Sequence, residues 1–217
     1  MGEGDWSSTH SGIDPSGVPL LRGWLLGVEW LARPLVSARV PPDAVTLVGG
    51  LSALAVPVLV RRGRLRPAIG AVLASVVLDG LDGAVARGSG RVSAHGRTLD
   101  SSVDRLAEAA WWWALSLVEV PRPVVAALAV ISVSMETWRA HSDRHGRLTV
   151  WERPTRTILV VAGLASAGPD PVLAVRAVPA RAVPRVTGLV GLVLALVGGG
   201  QLLWAVRTGS IRAAESG

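Results

Sequence analysis

The sequence lacks five residue types altogether: cysteine, lysine, asparagine, phenylalanine and tyrosine do not occur among its 217 residues. The absence of cysteine excludes disulfide bonds and thiolate chemistry, and it leaves the cellular compartment open. The other four types have AT-rich codons, so their joint absence indicates a very GC-rich bacterial genome before it indicates selection at any one position. All 22 basic residues are therefore arginine.

The sequence also lacks the features of a secreted or nucleic-acid-binding protein. Its first 20 residues are polar and acidic, without the basic segment and apolar core of a secretory signal. The net charge is +6, but no basic patch interleaved with aromatic residues is present, so nucleic acid is not a predicted partner. Half of the residues are apolar, and they cluster in blocks that approach the roughly 20 residues needed to cross a bilayer. We therefore predict an integral membrane protein.

The apolar blocks predict an all-α fold with six transmembrane helices, preceded by an N-terminal amphipathic helix that lies in the membrane interface. The predicted layout is a polar tail (1–16), the interfacial helix (17–40), a six-helix domain (41–207) and a C-terminal tail (208–217). The six spans are expected near 42–60, 67–86, 98–118, 123–141, 157–167 and 186–206, the fifth being short for a span.

The first helix has the pattern of an interfacial helix. Six apolar residues recur on one face at helical spacing: Leu21, Trp24, Leu25, Val28, Leu31 and Leu35. Arg22, Glu29 and Arg33 interrupt the apolar run, which suits a helix at the bilayer surface better than one that crosses it.

The distribution of arginine predicts the orientation of the spans. With the N-terminus inside the cell, the cytoplasmic segments and adjoining helix ends contain 14 arginines and the outer segments contain eight. Because cytoplasmic segments carry an excess of basic residues, this count favours a cytoplasmic N-terminus. The cluster Arg61, Arg62, Arg64 and Arg66 opposes this orientation, since it would lie outside.

Two pairs of aspartates lie within predicted spans, where ionisable groups are costly unless they are paired, metal-bound or functional. Asp79 and Asp82 are three residues apart on the second span, and Asp100 and Asp104 are four apart on the third, so each pair shares a helical face. Four converging carboxylates repel one another unless cations lie between them. Oxygen ligands fit Mg²⁺ or Mn²⁺, and two such ions can bridge a diphosphate.

The spacing of these residues is more specific than four acids in a membrane. It fixes eight identities across 26 residues, in the pattern D-x2-D-G-x2-A-R-x8-G-x3-D-x3-D. At about one match in ten per position, chance agreement at a given start is on the order of 10⁻⁸. The pattern reproduces the signature of the CDP-alcohol phosphatidyltransferases without a departure. The chain resembles this family, closest in layout to bacterial phosphatidylinositol-phosphate and phosphatidylglycerol-phosphate synthases.

The resemblance implies a reaction: transfer of a phosphatidyl or related substituted phosphate group from a CDP-alcohol such as CDP-diacylglycerol to an alcohol acceptor, with release of CMP. Asp79, Asp82 and Asp100 resemble the metal ligands, and Asp104 resembles both the fourth ligand and the general base. The implied CDP-binding residues are Thr46, Asp79, Asp82, Gly83, Ala86, Arg87 and Gly96. The family also implies a homodimer among membrane lipids in the bacterial cell membrane, with the active site facing the cytoplasm.

The acceptor-binding residues are expected after the fourth span. Arg139, Arg153 and Arg156 match arginines on the family's acceptor side, where guanidinium groups can bind phosphate bidentately, although they could equally be topology signals. Thr137 and Leu202 stand where the family carries cationic residues. A phosphorylated polyol, inositol phosphate or glycerol 3-phosphate, is the best candidate acceptor, and a non-phosphorylated or specialised alcohol is the alternative.

Two other classes of protein are compatible with paired intramembrane aspartates. One is a non-enzymatic transporter or ion-binding membrane protein, in which the acids form a buried ion-pair network with Arg87, Arg97 and Arg105. The other is a membrane prenyltransferase, which also presents paired aspartates to a metal-bound diphosphate, but usually with D-x3-D spacing and a neighbouring asparagine.

Overall fold

The computed structural model describes residues 19–141, 149–167 and 182–215. Within these ranges the protein is helical and has no strand, which confirms the predicted all-α fold for this part of the chain. The helices are α1 (Pro19–Ser37), α2 (Pro42–Arg61), α3 (Leu65–Gly88), α4 (Ala94–Ser116), α5 (Arg122–His141), α6 (Arg153–Ala165) and α7 (Ala182–Glu215). Each predicted span corresponds to one of the helices α2 to α7.

Proline residues mark the start of two helices. α2 begins at Pro42 after the extended residue Pro41, because the fixed φ of proline suits the first helical turn and its missing N–H is not needed there. The same preference places Pro154 in the first turn of α6. This helix therefore begins at Arg153, earlier than the predicted start at residue 157.

Three helices are long and apolar enough to cross a membrane: α2, α3 and the part of α7 from Ala182 to Trp204. α4 and α5 have 23 and 20 residues, but charged side chains interrupt their apolar surface. α6 has 13 residues, a length of about 20 Å, against a hydrocarbon core of about 30 Å. α7 continues to Glu215, past the predicted end at residue 206, because no proline interrupts it. The helices are those of a membrane protein, and the count of six spans stays a prediction.

The chain divides into two compact units, one ending at Leu117 and the other beginning at Val118. In the first unit, α2 packs against both α3 and α4, and α1 packs against α3. In the second unit, α7 packs against α5 and α6.

Two adjacent glycines on α2 set the spacing of the first unit. A Cβ atom added at Gly49 would lie 3.2 Å from the Cβ of Leu78 on α3. A Cβ atom added at Gly50 would lie 2.8 Å from Cγ1 of Val103 on α4. The missing side chains thus allow α2 to approach α3 and α4 closely at the level of the motif aspartates.

α1 is amphipathic, and two residues of its predicted apolar face, Val28 and Leu35, lie in or against a buried cluster. Val28 and Ala32 are buried in a cluster with residues of α2 and α3, namely Val45, Leu81, Ala84 and Val85. Leu31, which the spacing places on the apolar face, is 41% exposed. Leu26 and Trp30 are more exposed than Leu31. Ala32, which the apolar pattern does not include, is also buried in this cluster. The interfacial position of α1 stays a prediction.

Glycines also line α7 where it contacts the rest of the second unit. A Cβ atom at Gly191 would lie 2.7 Å from Cδ1 of Leu159, and one at Gly198 would lie 2.6 Å from the Cβ of Trp151. The buried indole of Trp151 donates a hydrogen bond to Oγ of Ser132 at 3.0 Å. These contacts hold α6, the segment before it and α5 in one unit with α7.

Candidate active site

Three aspartates of the motif converge in the first unit. Asp79 on α3 and Asp100 and Asp104 on α4 each offer a carboxylate oxygen, and these oxygens lie within 4.8 Å of one another. All three side chains are half-buried. The arrangement follows from the four-residue spacing on α4 and from the packing of both helices on α2. The three oxygens could hold a metal ion, and hard oxygen donors of this kind fit Mg²⁺ or Mn²⁺.

Asp82, the fourth aspartate of the motif, has different surroundings. It is buried, with 5% of its surface exposed, and it lies outside the group of three converging carboxylates. Its Oδ2 accepts a hydrogen bond from Oγ1 of Thr46 on α2 at 2.5 Å. The structure therefore places Thr46, predicted for CDP binding, against Asp82, where it fixes the orientation of that carboxylate.

The remaining motif residues on α3 surround the start of the loop to α4. A Cβ atom at Gly83 would lie 3.2 Å from Nη1 of Arg87, so the guanidinium of Arg87 folds back over Gly83. Arg87 and Ala86 are half-buried. The missing side chain of Gly83 thus leaves room for the arginine head group, and the phosphate-binding role of Arg87 stays a prediction.

Gly96 lies in the first turn of α4 and has close neighbours. Its backbone N–H donates to Oγ of Ser93, the N-cap residue, at 2.9 Å. A Cβ atom at Gly96 would lie 3.2 Å from that Oγ and 3.5 Å from Oδ1 of Asp43 at the start of α2. Glycine suits position 96 because a side chain there would crowd these neighbours. The residue with a left-handed backbone conformation in this loop is Gly90, with φ +66°.

Asp43 is a neighbour of the site that the motif does not contain. Its Oδ2 lies 4.0 Å from Nε2 of His95, whose side chain is 81% exposed. Together with the contact to Gly96, this places the start of α2 beside the start of α4. The segment Pro-Asp-Ala-Val-Thr signals the helix start in the sequence, but nothing in the spacing indicates its partner on α4.

The arginines near the motif do not form the ion-pair network of the non-enzymatic alternative. Arg87, Arg97 and Arg105 take part in none of the ion pairs found among the described residues.

The predicted acceptor-binding arginines belong to the second unit. Arg156 is 3% exposed, and its Nη2 donates to Oε1 of Glu136 on α5 at 2.7 Å. Arg153 is half-buried at the start of α6, and the side chain of Arg139 lies outside the described residues. The pairing of Arg156 with Glu136, 20 residues apart, has no periodic signal in the sequence.

At the C-terminal end of α2, an arginine contacts the ring of a tryptophan on α4. Trp111 and Trp112 are buried, whereas Trp113 on α4 is 46% exposed. The guanidinium carbon of Arg61, at the end of α2, lies 4.9 Å from the centroid of the Trp113 ring. This distance is within the range of a cation–π interaction.

Comparison with known proteins finds relatives that all belong to one family. The family of CDP-alcohol phosphatidyltransferases matches residues 39–197. The phosphatidylinositol phosphate synthase of Mycobacterium marinum is 33% identical over 144 residues, which cover 61% of this chain and 62% of that protein. The chain therefore spans less than two thirds of this relative. The archaetidylinositol phosphate synthase of Pyrococcus horikoshii is 33% identical over 140 residues, covering 61% of this chain and 73% of that protein.

Solved structures agree with this similarity. Phosphatidylinositol phosphate synthase of Mycobacterium tuberculosis in complex with manganese and citrate superposes with a TM-score of 0.67 at 28% identity, covering 83% of this chain and 89% of that chain. The same enzyme with CDP-DAG bound gives a TM-score of 0.62, covering 83% and 92%. The matched region contains the whole carboxylate motif, and the chain belongs to the CDP-alcohol phosphatidyltransferase family.

Proposed function

We propose that this protein transfers a phosphatidyl group from a CDP-alcohol, with CDP-diacylglycerol as the donor, to an alcohol acceptor and releases CMP. The observation that carries the proposal is the convergence of Asp79, Asp100 and Asp104 to within 4.8 Å inside a complete family motif. The relatives, which are synthases of phosphatidylinositol phosphate or archaetidylinositol phosphate, support inositol phosphate as the acceptor.

The proposed reaction is a single displacement at phosphorus. The acceptor hydroxyl loses its proton to the Asp104 carboxylate, and its oxygen forms a bond to the phosphorus that carries the lipid. The bond from this phosphorus to the oxygen bridging the two phosphates breaks, and CMP leaves with that oxygen. Two bound Mg²⁺ or Mn²⁺ ions, held by Asp79, Asp82, Asp100 and Asp104, would neutralise the developing phosphate charge.

The chain's own residues bind and orient the donor. Arg87 is placed to hold phosphate oxygens, and Gly83, Ala86 and Gly96 leave space for the nucleotide near the backbone. Thr46 acts through Asp82, because its hydroxyl fixes that carboxylate. Each of these residues lies in the first unit, so the donor half of the reaction is assigned to α2, α3 and α4.

The proposed setting is a bacterial cell membrane with the active site facing the cytoplasm. The proposal also includes six spans, an interfacial α1, contact with membrane lipids and a homodimer. It is supported by three helices long and apolar enough to cross and by the exposed apolar residues of α1. The arginine distribution supports the orientation.

The test is an assay of purified protein in lipid nanodiscs with CDP-diacylglycerol and Mg²⁺ or Mn²⁺. The acceptors are inositol phosphate, glycerol 3-phosphate, free inositol, serine and glycerol, each assayed for CMP and for a new lipid. We expect metal-dependent CMP release with inositol phosphate and none after chelation. Absence of CMP with all five acceptors, while a verified relative is active in the same nanodiscs, would disprove the proposal.

A further inference from the structure

α2 and α4 lie side by side in the first unit and run in the same direction. Their starts meet where the carboxylate of Asp43 lies beside Gly96, and their ends meet where Arg61 contacts the ring of Trp113. Gly96 belongs to the motif, so Arg61 and Trp113 mark the opposite end of this helix pair.

The helices touch at Gly50 and Val103, and exposed apolar side chains line one side of the groove between them. Because successive residues of a helix turn by about 100°, Leu54 is displaced from Gly50 by about 40°. On α4, Leu106 is displaced from Val103 by about 60° in the opposite sense. In parallel helices, opposite displacements from the contact point to the same side of the pair. The exposed apolar residues on this side form the α2–α4 groove: Leu47, Leu54 and Val58 of α2, and Leu106, Trp113 and Leu117 of α4.

Positive charge lies at one end of the α2–α4 groove, in the turn from α2 to α3. This turn and its flanking residues carry four exposed arginines: Arg61, Arg62, Arg64 and Arg66. No acidic residue occurs in the sequence between Asp43 and Asp79, and none of the four arginines takes part in an ion pair found among the described residues. The guanidinium carbon of Arg61 lies 4.9 Å from the centroid of the Trp113 ring, which holds this cation at the groove. The groove thus joins an apolar surface to a group of exposed cations.

The combination of apolar surface and positive charge fits an anionic phospholipid. α2 and α3 are both long and apolar enough to cross a membrane, which places the turn between them at a membrane surface. Arginines in such a position attract the phosphate of anionic lipid headgroups, and guanidinium groups bind phosphate oxygens bidentately. A free phosphate ion would contact the arginines but leave the apolar residues uncovered, whereas the acyl chain of a lipid covers them.

We propose that an anionic phospholipid binds in the α2–α4 groove, with its headgroup phosphate on Arg61 and Arg62 and an acyl chain along the apolar residues. This lipid is not the donor, because its headgroup lies at the end of the helix pair opposite to Gly96. The site takes no part in the transferase reaction, and the inference does not depend on the proposed function.

The test measures lipid binding with a fluorescent label beside the groove. Because the chain has no cysteine, L51C carries a single thiol, and Leu51 is exposed on α2 next to the groove. L196C, at an exposed position of α7 in the second unit, is the matched control. Each labelled protein is placed in phosphatidylcholine bilayers that contain a small share of nitroxide-labelled phosphatidylglycerol or nitroxide-labelled phosphatidylcholine. We expect quenching of the L51C label to give an affinity about fivefold higher for phosphatidylglycerol, and quenching of the L196C label to give equal affinities.

Arginine variants then assign the preference to the headgroup site. R61Q/R62Q in the L51C protein should reduce the affinity ratio to about one, whereas R61K/R62K should keep most of it, because lysine retains the charge. R33Q/R91Q is the matched control, since it removes two exposed arginines outside the groove and should leave the ratio unchanged. The melting temperature in phosphatidylcholine should be the same for all of these proteins, because every exchanged arginine is exposed.

Four results would overturn the inference. Two of them are equal affinities for both lipids at the L51C label, and a loss of preference in R33Q/R91Q as large as in R61Q/R62Q. The third is removal of the preference by inorganic phosphate beyond the effect of chloride at equal ionic strength, which would show that the arginines bind free phosphate. The fourth is an L51C label that neither lipid quenches while both quench the L196C label, which would show that a second copy of the chain covers the groove.

Discussion

At the scale of single residues, the four aspartates of the motif have two kinds of surroundings. Asp79, Asp100 and Asp104 face one another, remain half-buried and could hold a metal ion. Asp82 is buried and accepts a short hydrogen bond from Thr46. A buried carboxylate is stable only when hydrogen-bonded or paired, and the Thr46 hydroxyl is one such donor to Asp82.

The first prediction concerns Asp104. Replacement by asparagine keeps the volume but removes the proton acceptor and one negative ligand, so D104N should lower kcat by at least about 10³-fold. Binding of CDP-diacylglycerol should persist, because the other motif residues are intact. The measurement is single-turnover CMP release together with donor binding by filtration of radiolabelled lipid. Near-normal turnover in D104N would show that the base is another group.

The second prediction concerns Thr46. T46V is nearly isosteric but removes the hydroxyl, which leaves buried Asp82 without this donor. A hydrogen bond to a charged group contributes about 1.5–3 kcal/mol, so kcat/KM for the donor should fall about ten- to a hundredfold. T46S is the matched control, because it keeps the hydroxyl, and it should retain most of the activity. Equal activity of T46V and the wild type would show that the contact is dispensable.

The sequence predicts individual site residues only where they share a helix or a motif. The i,i+4 spacing brings Asp100 and Asp104 together, and the short connection adds Asp79. The contacts of Thr46 with Asp82 and of Glu136 with Arg156 join residues 36 and 20 positions apart on different helices. No periodicity pairs such residues, because their distance depends on how the helices pack.

At the scale of helices, the close approach of α2 to α4 keeps the carboxylates in register. G50A adds a Cβ atom that would lie 2.8 Å from Cγ1 of Val103. Because the half-buried side chain of Val103 or the backbone must shift, the melting temperature should fall by several degrees and activity should fall with it. The melting temperature is measured by intrinsic fluorescence in detergent, and activity in nanodiscs.

A matched control for this substitution lies on α3. A Cβ atom at Gly70 would meet nothing within 4 Å, and Gly70 is inside a helix. Alanine favours the helix over glycine by about 1 kcal/mol, so G70A should leave the melting temperature unchanged or raise it. If G70A is as harmful as G50A, crowding at Val103 is not the cause.

The positions of the helices are largely predictable from the apolar blocks, but their exact ends and buried faces are less predictable. Each predicted span is found as a helix, because apolar runs bounded by proline and glycine leave few alternatives. The start of α6 lies before the predicted one because Pro154 fits a first turn, and the buried residues of α1 include Ala32, which the apolar pattern omits because alanine is small. Both differences come from local fit and not from hydropathy.

At the scale of the whole molecule, the absence of cysteine makes the orientation directly testable. α3 has 24 residues, about 36 Å, which is enough to separate its two ends by a bilayer. Single cysteines at Arg64 and Arg91, in the turns on either side of α3, have no background thiol to compete with.

The expected result follows from a cytoplasmic N-terminus. R64C should react with a membrane-impermeant maleimide on intact cells, and R91C should react only after permeabilisation. The readout is a gel shift of the labelled protein, with activity confirming that each variant is folded. The reverse pattern would place the active site outside, and labelling of both on one side would show that α3 does not cross.

The contact of Arg61 with Trp113 also has a consequence for how the two substrates arrive. Trp113 lies 13 residues after Asp100, about 20 Å along α4, and tryptophan with arginine favours the membrane–water boundary. In the proposed orientation the carboxylates then lie roughly 10 Å below the opposite boundary of a 30 Å hydrocarbon layer. The donor reaches that depth by lateral diffusion, while the acceptor must descend from water. Turnover should therefore follow the surface density of the donor in its leaflet but the bulk concentration of the acceptor.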